Sequence, residues 1–166
     1  MTIEPASRAY PLDSLDAGPL AGSSVTESIL EQAEQAEGNF ARVRLADGPL
    51  AAPALWRVVS MMLARADWPL DRLDDMLLVC DALSAHAFAH SSDTTLTFSI
   101  QTDEHEAELC VLDLVEDGAS RLVEEMVLPV VGNVLERIAE RVSIEPGADG
   151  EGSQLVLTLR ARSPSR

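Results

Sequence analysis

Between residues 70 and 115 the spacing of apolar side chains changes from the period of a helix to that of a strand, and this change constrains the fold most. LDRLDDMLLVCDALSAHAFAH carries Leu73, Met76, Leu77, Cys80, Ser84 and Ala87 along one stripe, which predicts a helix over about 70–91. SSDTTLTFSI then sets Leu96, Phe98 and Ile100 on one side of an alternating run. QTDEH makes a polar turn, and AELCVLDLV, 107–115, reads as the antiparallel return strand. A hairpin with one apolar face buries that face against another element, and the preceding helix is the nearest candidate.

The flanking segments extend this frame. FARVRL, 40–45, alternates Phe40, Arg42 and Arg44 with Ala41, Val43 and Leu45, as a half-exposed strand does, and ADGPL ends it. Leu55, Val58, Val59, Met62 and Ala66 then fall at helical spacing, giving a helix over about 52–66 that stops before WP at 68–69. EDGASRLVEE reads as a loop with helical tendencies. Val130, Val131, Val134, Leu135, Ile138 and Val142 predict a third helix over about 129–142, with Gly132 weakening it. PGADGEG is a turn and QLVLTLRAR a closing strand.

The order is strand, two helices, two strands, helix and a closing pair of strands, of which QLVLTLRAR is the one located. It predicts an α+β fold, a two-layer sandwich of a mainly antiparallel sheet with helices on one face. Residues 1–37, rich in Pro, Gly, Ser, Ala and acids, are expected to be a disordered acidic segment. TESILEQAEQAE within them has helical propensity but little to bury. The domain then occupies 38–162, with 163–166 as a tail.

Composition narrows the chemistry. The formal charge of −16 disfavours direct contact with nucleic acid or anionic membrane. All 12 basic residues are Arg, which excludes a Walker-type phosphate loop and Schiff-base chemistry, both of which need Lys. Cys80 and Cys110 lack a paired spacing and read as reduced core thiols. No apolar run approaches the roughly 20 residues of a membrane helix, and the N-terminus has no secretory pattern. A cytoplasmic location is therefore expected.

The helix over 70–91 also carries Asp81, His86 and His90. At ~100° per residue His86 and His90 lie ~40° apart, whereas Asp81 points ~140° from His86. His86 and His90 could form half of a zinc site, but the internal Glu of a metalloprotease helix is missing and His105 lies in a turn. A phosphoacceptor histidine and ordinary, partly exposed histidines are the other readings. No bound metal is expected.

Residues 40–90 resemble the opening of the RsbW-like anti-sigma-factor serine kinases. This family is related to the histidine-kinase-like (GHKL, Bergerat-fold) ATPase domains. The resemblance continues through the hairpin, VEDGAS, NVLERIAERVSI and the last strand, roughly 40–162. It implies a motif helix bearing Glu-x-x-x-Asn, the Glu a base and the Asn a magnesium ligand. Asp81 stands at the Glu position and Ala85 at the Asn position; a shift of one residue brings His86 to the Asn but Ala82 to the Glu.

The family's Asp-x-Gly-x-Gly loop, whose Asp reads adenine, falls on Glu116, Asp117, Gly118, Ala119 and Ser120, of which Gly118 is retained and Glu116 keeps the charge. The glycine-rich lid falls on PVVG, where Pro129 offers no amide proton and Val131 adds a branched side chain. Asp81, Glu116 and Gly118 are thus the nucleotide-site candidates on worn motifs, and Asp81 is the one candidate for the base.

The resemblance implies an anti-sigma-type binding protein with lost or weakened kinase function, working with a sigma factor and an antagonist (anti-anti-sigma) protein, and able to form a homodimer. An active serine-protein kinase and a histidine phosphotransfer protein are the alternatives. No resident cofactor is expected; ATP with magnesium is the ligand the resemblance leaves open.

Overall fold

The structure, a computed structural model, describes residues 39–128, 132–148 and 150–161. The segment 1–37 and the tail 163–166 therefore lie outside the described residues, as do Pro129 and Val131.

The order is β1 (Asn39–Ala46), α1 (Ala51–Arg65), α2 (Leu70–His86) with a 3-10 turn (Ala87–His90), β2 (Thr95–Thr102), β3 (Glu106–Leu114), α3 (Gly118–Glu125), β4 (Val127–Leu128), β5 (Gly132–Asn133), α4 (Val134–Ile138), β6 (Arg141–Pro146) and β7 (Ser153–Arg160). β1, β2, β3, β7 and β6 form a five-stranded sheet in that order, antiparallel at every pairing. β4 and β5 make a two-stranded ribbon.

The period-two pattern places the core. Leu96, Phe98 and Ile100 of β2, Ala107, Leu109 and Val111 of β3, and Leu155, Leu157 and Leu159 of β7 share one face and are buried. On them rest Leu55, Val59, Met62 and Leu63 of α1, Met76, Val79, Cys80 and Leu83 of α2, Leu122 of α3, and Val134 and Leu135 of α4. The two-layer α+β expectation holds. The buried side of α2 is turned from the expected stripe: Val79, Ala82 and Leu83 are buried, whereas Leu77 and Ser84 are half-buried.

The break between α1 and α2 is built by its own residues. Asp67 takes a left-handed φ of 52°, so the Trp68 amide turns back to donate to the Leu63 carbonyl at 3.1 Å. The Trp68 indole is buried and donates from Nε1 to the Asp103 carbonyl at 2.7 Å, fastening the break to the β2–β3 turn. Pro69 then enters α2 from an extended conformation, which its ring favours.

Three expectations need correction. EDGASRLVEE is largely helical, as α3, because Leu122 docks into the core. The helix over 70–91 stops as an α-helix at His86 and tightens to a 3-10 turn. The helix expected over 129–142 shrinks to Val134–Ile138. Gly132 has a φ of 80° in β5, Asn133 caps α4 by accepting from the Leu135 amide at 3.0 Å, and Arg141–Pro146 pair with β7. That last strand, β6, is the unlocated member of the closing pair.

Candidate functional site

The residues singled out on α2 do not share an environment. Asp81 and Ala85 are exposed, and His86 is half-buried. His90, expected to be partly exposed, is instead buried at 8% exposure, because the 3-10 turn swings it under α3.

There it meets Glu125, a residue the sequence reading did not single out. His90 Nε2 lies 2.9 Å from Glu125 Oε2, and His86 Nδ1 lies 3.8 Å from the same oxygen. The bond from His90 holds the Glu125 carboxyl below its ordinary value, outweighing the opposing effect of desolvation. With Glu125 ionised, the proton of this bond sits on His90 Nε2. Thirty-five residues separate the pair, so helical spacing could not signal it. Among the described residues no three His, Cys, Asp or Glu side chains are placed to hold a metal ion.

Two expected outcomes follow from this contact. His90→Gln costs about 1 kcal/mol of stability, since a part-buried hydrogen bond from a buried imidazole is disturbed, whereas His86→Gln stays within about 0.5 kcal/mol, as at most surface sites; urea unfolding of both variants checks the difference. The depressed Glu125 carboxyl contributes stability that is present above its ordinary value of 4.5 and is lost as pH falls through its lowered value. Melting temperatures of the wild type and Glu125→Gln should therefore converge in acid and separate at higher pH.

Gly118 is buried at the start of α3, where an added Cβ would stand 2.9 Å from the His90 carbonyl oxygen. Its amide donates to the Val115 carbonyl at 2.8 Å, and the Ala119 amide donates to Ser153 Oγ at 3.1 Å. Glu116 is exposed and lines a cleft of about 510 Å³ at the β6–β7 end, with Ile144, Glu145, Glu151 and Ser153. Asp81, Ala85 and His86 are not among the residues lining that cleft. Gly118 is thus brought against the end of the motif helix, and Glu116 faces the hairpin.

Both thiols are free. Burial raises Cys80 to about 12 and is the main cause that raises Cys110 to about 11, so neither is a ready nucleophile. Cys80 is a core thiol as expected; Cys110 is half-buried and lies outside the connected core. No helix among the described residues is long and apolar enough to cross a membrane.

No family model matches the sequence, and no curated protein matches it. Among solved structures, the chain is similar to the crystal structure of the RsbU and RsbW domains of Rv1364c from Mycobacterium tuberculosis. The TM-score is 0.56 at 16% identity, over 77% of this chain and 34% of that one. This chain therefore spans about a third of the length of that neighbour, and at such identity the likeness is one of fold: an α+β domain of the RsbW-like type, with a five-stranded antiparallel sheet and its helices.

Proposed function

We propose that the chain is a regulatory protein-binding domain of the anti-sigma type, on an ATPase-like scaffold whose kinase function is lost or weakened. Its partners on this reading are a cytoplasmic sigma factor and an antagonist protein that releases it. Ala85 carries the proposal: an exposed methyl stands on the motif helix where the family pattern requires an oxygen ligand for magnesium. Further support comes from Gly118, which packs against the His90 carbonyl, and from Glu125, which engages both nearby histidines.

This donor set does not suit a magnesium triphosphate and supports no phosphoryl-transfer step. An acidic surface suits the basic, DNA-contacting segments of a sigma factor.

The test is transcription driven by a candidate sigma factor in vitro. Adding the chain should inhibit it without ATP, and the antagonist should relieve the inhibition. Calorimetry with magnesium and ATP should show no saturable micromolar binding, and Ala85→Asn alone should not produce phosphorylation of the antagonist. Micromolar ATP binding with phosphate transfer by the wild type would favour the active-kinase reading instead.

A further inference from the structure

We propose that the open edge of β1 takes an added antiparallel strand from a protein partner, an extended segment in which acidic and apolar residues alternate. The edge offers this pairing whether or not the domain is of the anti-sigma type.

The hydrogen-bond ladder fixes which backbone groups are on offer. The Asp47 amide donates to the Thr94 carbonyl at 3.0 Å, in the same register as β1 with β2. Residues that exchange bonds across an antiparallel pair recur at every second position, so Asn39, Ala41, Val43 and Leu45 turn their N–H and C=O groups toward β2. The other side of β2 agrees. Asp103 donates to the Glu106 carbonyl in the β2–β3 register, so the odd-numbered residues of β2 face β3 and the even-numbered ones are left for β1. Phe40, Arg42, Arg44 and Ala46 therefore direct their backbone groups to the open side, where no strand among the described residues pairs with them.

The side chains set the chemistry of the occupant. Ala41, Val43 and Leu45 pair with Ile100, Phe98 and Leu96 and point to the core, yet they stay half-buried at its margin. Apolar side chains on an added strand would complete that cover. Arg42 and Arg44 point to the opposite face. A residue paired with either stands about 5.5 Å away between Cα atoms, where a carboxylate is favoured and a cation is not. Arg42 lies over the Phe40 ring at 5.8 Å, and Arg44 is 3.4 Å from Asp93 in an exposed pair of little net strength, which a second carboxylate can join.

This strip is basic in an acidic chain. Between Asn39 and Ala66 there are four Arg and one acid, Asp47, whereas the whole chain carries −16. The charges also reject a second copy: β1 laid antiparallel on β1 brings Arg opposite Arg in every register that pairs the middle of the strand. Edge charges of one sign block self-pairing and admit a strand of the other sign. In such an addition the main-chain bonds supply affinity and the alternating side chains supply selection.

The test uses the full chain and the peptide Thr-Val-Glu-Val-Glu-Val-Thr, capped at both ends. In the free chain the amides of Arg42 and Arg44 should exchange with solvent rapidly, and saturating peptide should slow them by about tenfold or more while Val43 stays as it was. Replacing both Glu of the peptide by Arg should abolish binding at about 0.15 M salt. A chain carrying Arg42→Glu and Arg44→Glu should reverse that preference with circular dichroism unchanged, since both side chains are exposed. Methylating the two Glu amide nitrogens, which face β1 in this register, should weaken binding by about tenfold or more, whereas methylating the Val nitrogens between and beside them should not. Arg42 and Arg44 amides already protected in the free chain would overturn the proposal, because the edge would then be taken. So would no binding at millimolar peptide, a preference that the charge reversal does not invert, or a loss that follows the Val nitrogens instead of the Glu ones.

Discussion

Replacing Arg72 with alanine is expected to lower the free energy of unfolding by about 3–5 kcal/mol, through two lost charge-assisted hydrogen bonds to carbonyls of about 1.5 kcal/mol each, the lost and weaker pair with partly exposed Asp75, and the lost packing of the stem. Arg72 is 2% exposed, which is rare for a guanidinium, and each edge of its fork is used. Nε donates to the Arg160 carbonyl at 2.9 Å, Nη2 to the Ile138 carbonyl at 3.4 Å, and Nη1 to Asp75 at 2.7 Å. One side chain in the first turns of α2 thereby holds the end of β7 and the last residue of α4. Alanine leaves two carbonyls without these donors and a void beneath the helix.

Arg72→Met should fall between alanine and the wild type, because methionine refills the volume but donates nothing. Asp75→Asn should cost less, about 1 kcal/mol, since Asp75 is partly exposed and asparagine can still accept from the guanidinium. Urea unfolding of the three variants measures this order. A loss below about 1 kcal/mol for Arg72→Ala would mean that solvent replaces the fork without penalty.

Arg72 also shows where sequence reading stops. The helices α1 and α2 and the β2–β3 hairpin were legible because each announces itself within a window of a few residues: Leu55, Val59 and Met62 at helical spacing, Leu96, Phe98 and Ile100 at alternate positions. An arginine in such a window reads as solvated. Its burial is decided by Arg160, 88 residues away. The bond between His90 and Glu125 was hidden for the same reason, and it turned one of two histidines expected to be partly exposed into a part-buried contact between α2's end and α3.

The error over 129–142 has a different cause. Val134, Leu135 and Ile138 do lie on a short helix, and Val142 continued their period by chance into RVSIEP, where Val142 and Ile144 equally fit a strand. A short apolar run satisfies both periods, and pairing with β7 decided for the strand. Asn133, followed three residues later by Glu136, was the local sign that a helix starts there and not at 129.

Gly118 is where fold and candidate site meet, and Gly118→Ala is expected to destabilise the domain by about 1–3 kcal/mol, as overpacking of a tight contact does. The new Cβ would stand 2.9 Å from the His90 carbonyl oxygen, 3.0 Å from Leu114 Cβ and 3.2 Å from Val115 Cγ2. The first is backbone, and the same oxygen already accepts from the Val115 amide at 2.9 Å, so it has little room to yield. Relief requires α3 to move off the 3-10 turn, which also stretches the bond between His90 and Glu125. In the family pattern this glycine belongs to a nucleotide loop, whereas here close packing alone is enough to demand it. The two demands separate by measurement: urea unfolding should show the loss, and calorimetry with magnesium and ATP should give the same flat trace before and after the substitution. An unchanged midpoint together with a lost ATP signal would assign Gly118 to a ligand and not to the contact between α3 and the motif helix.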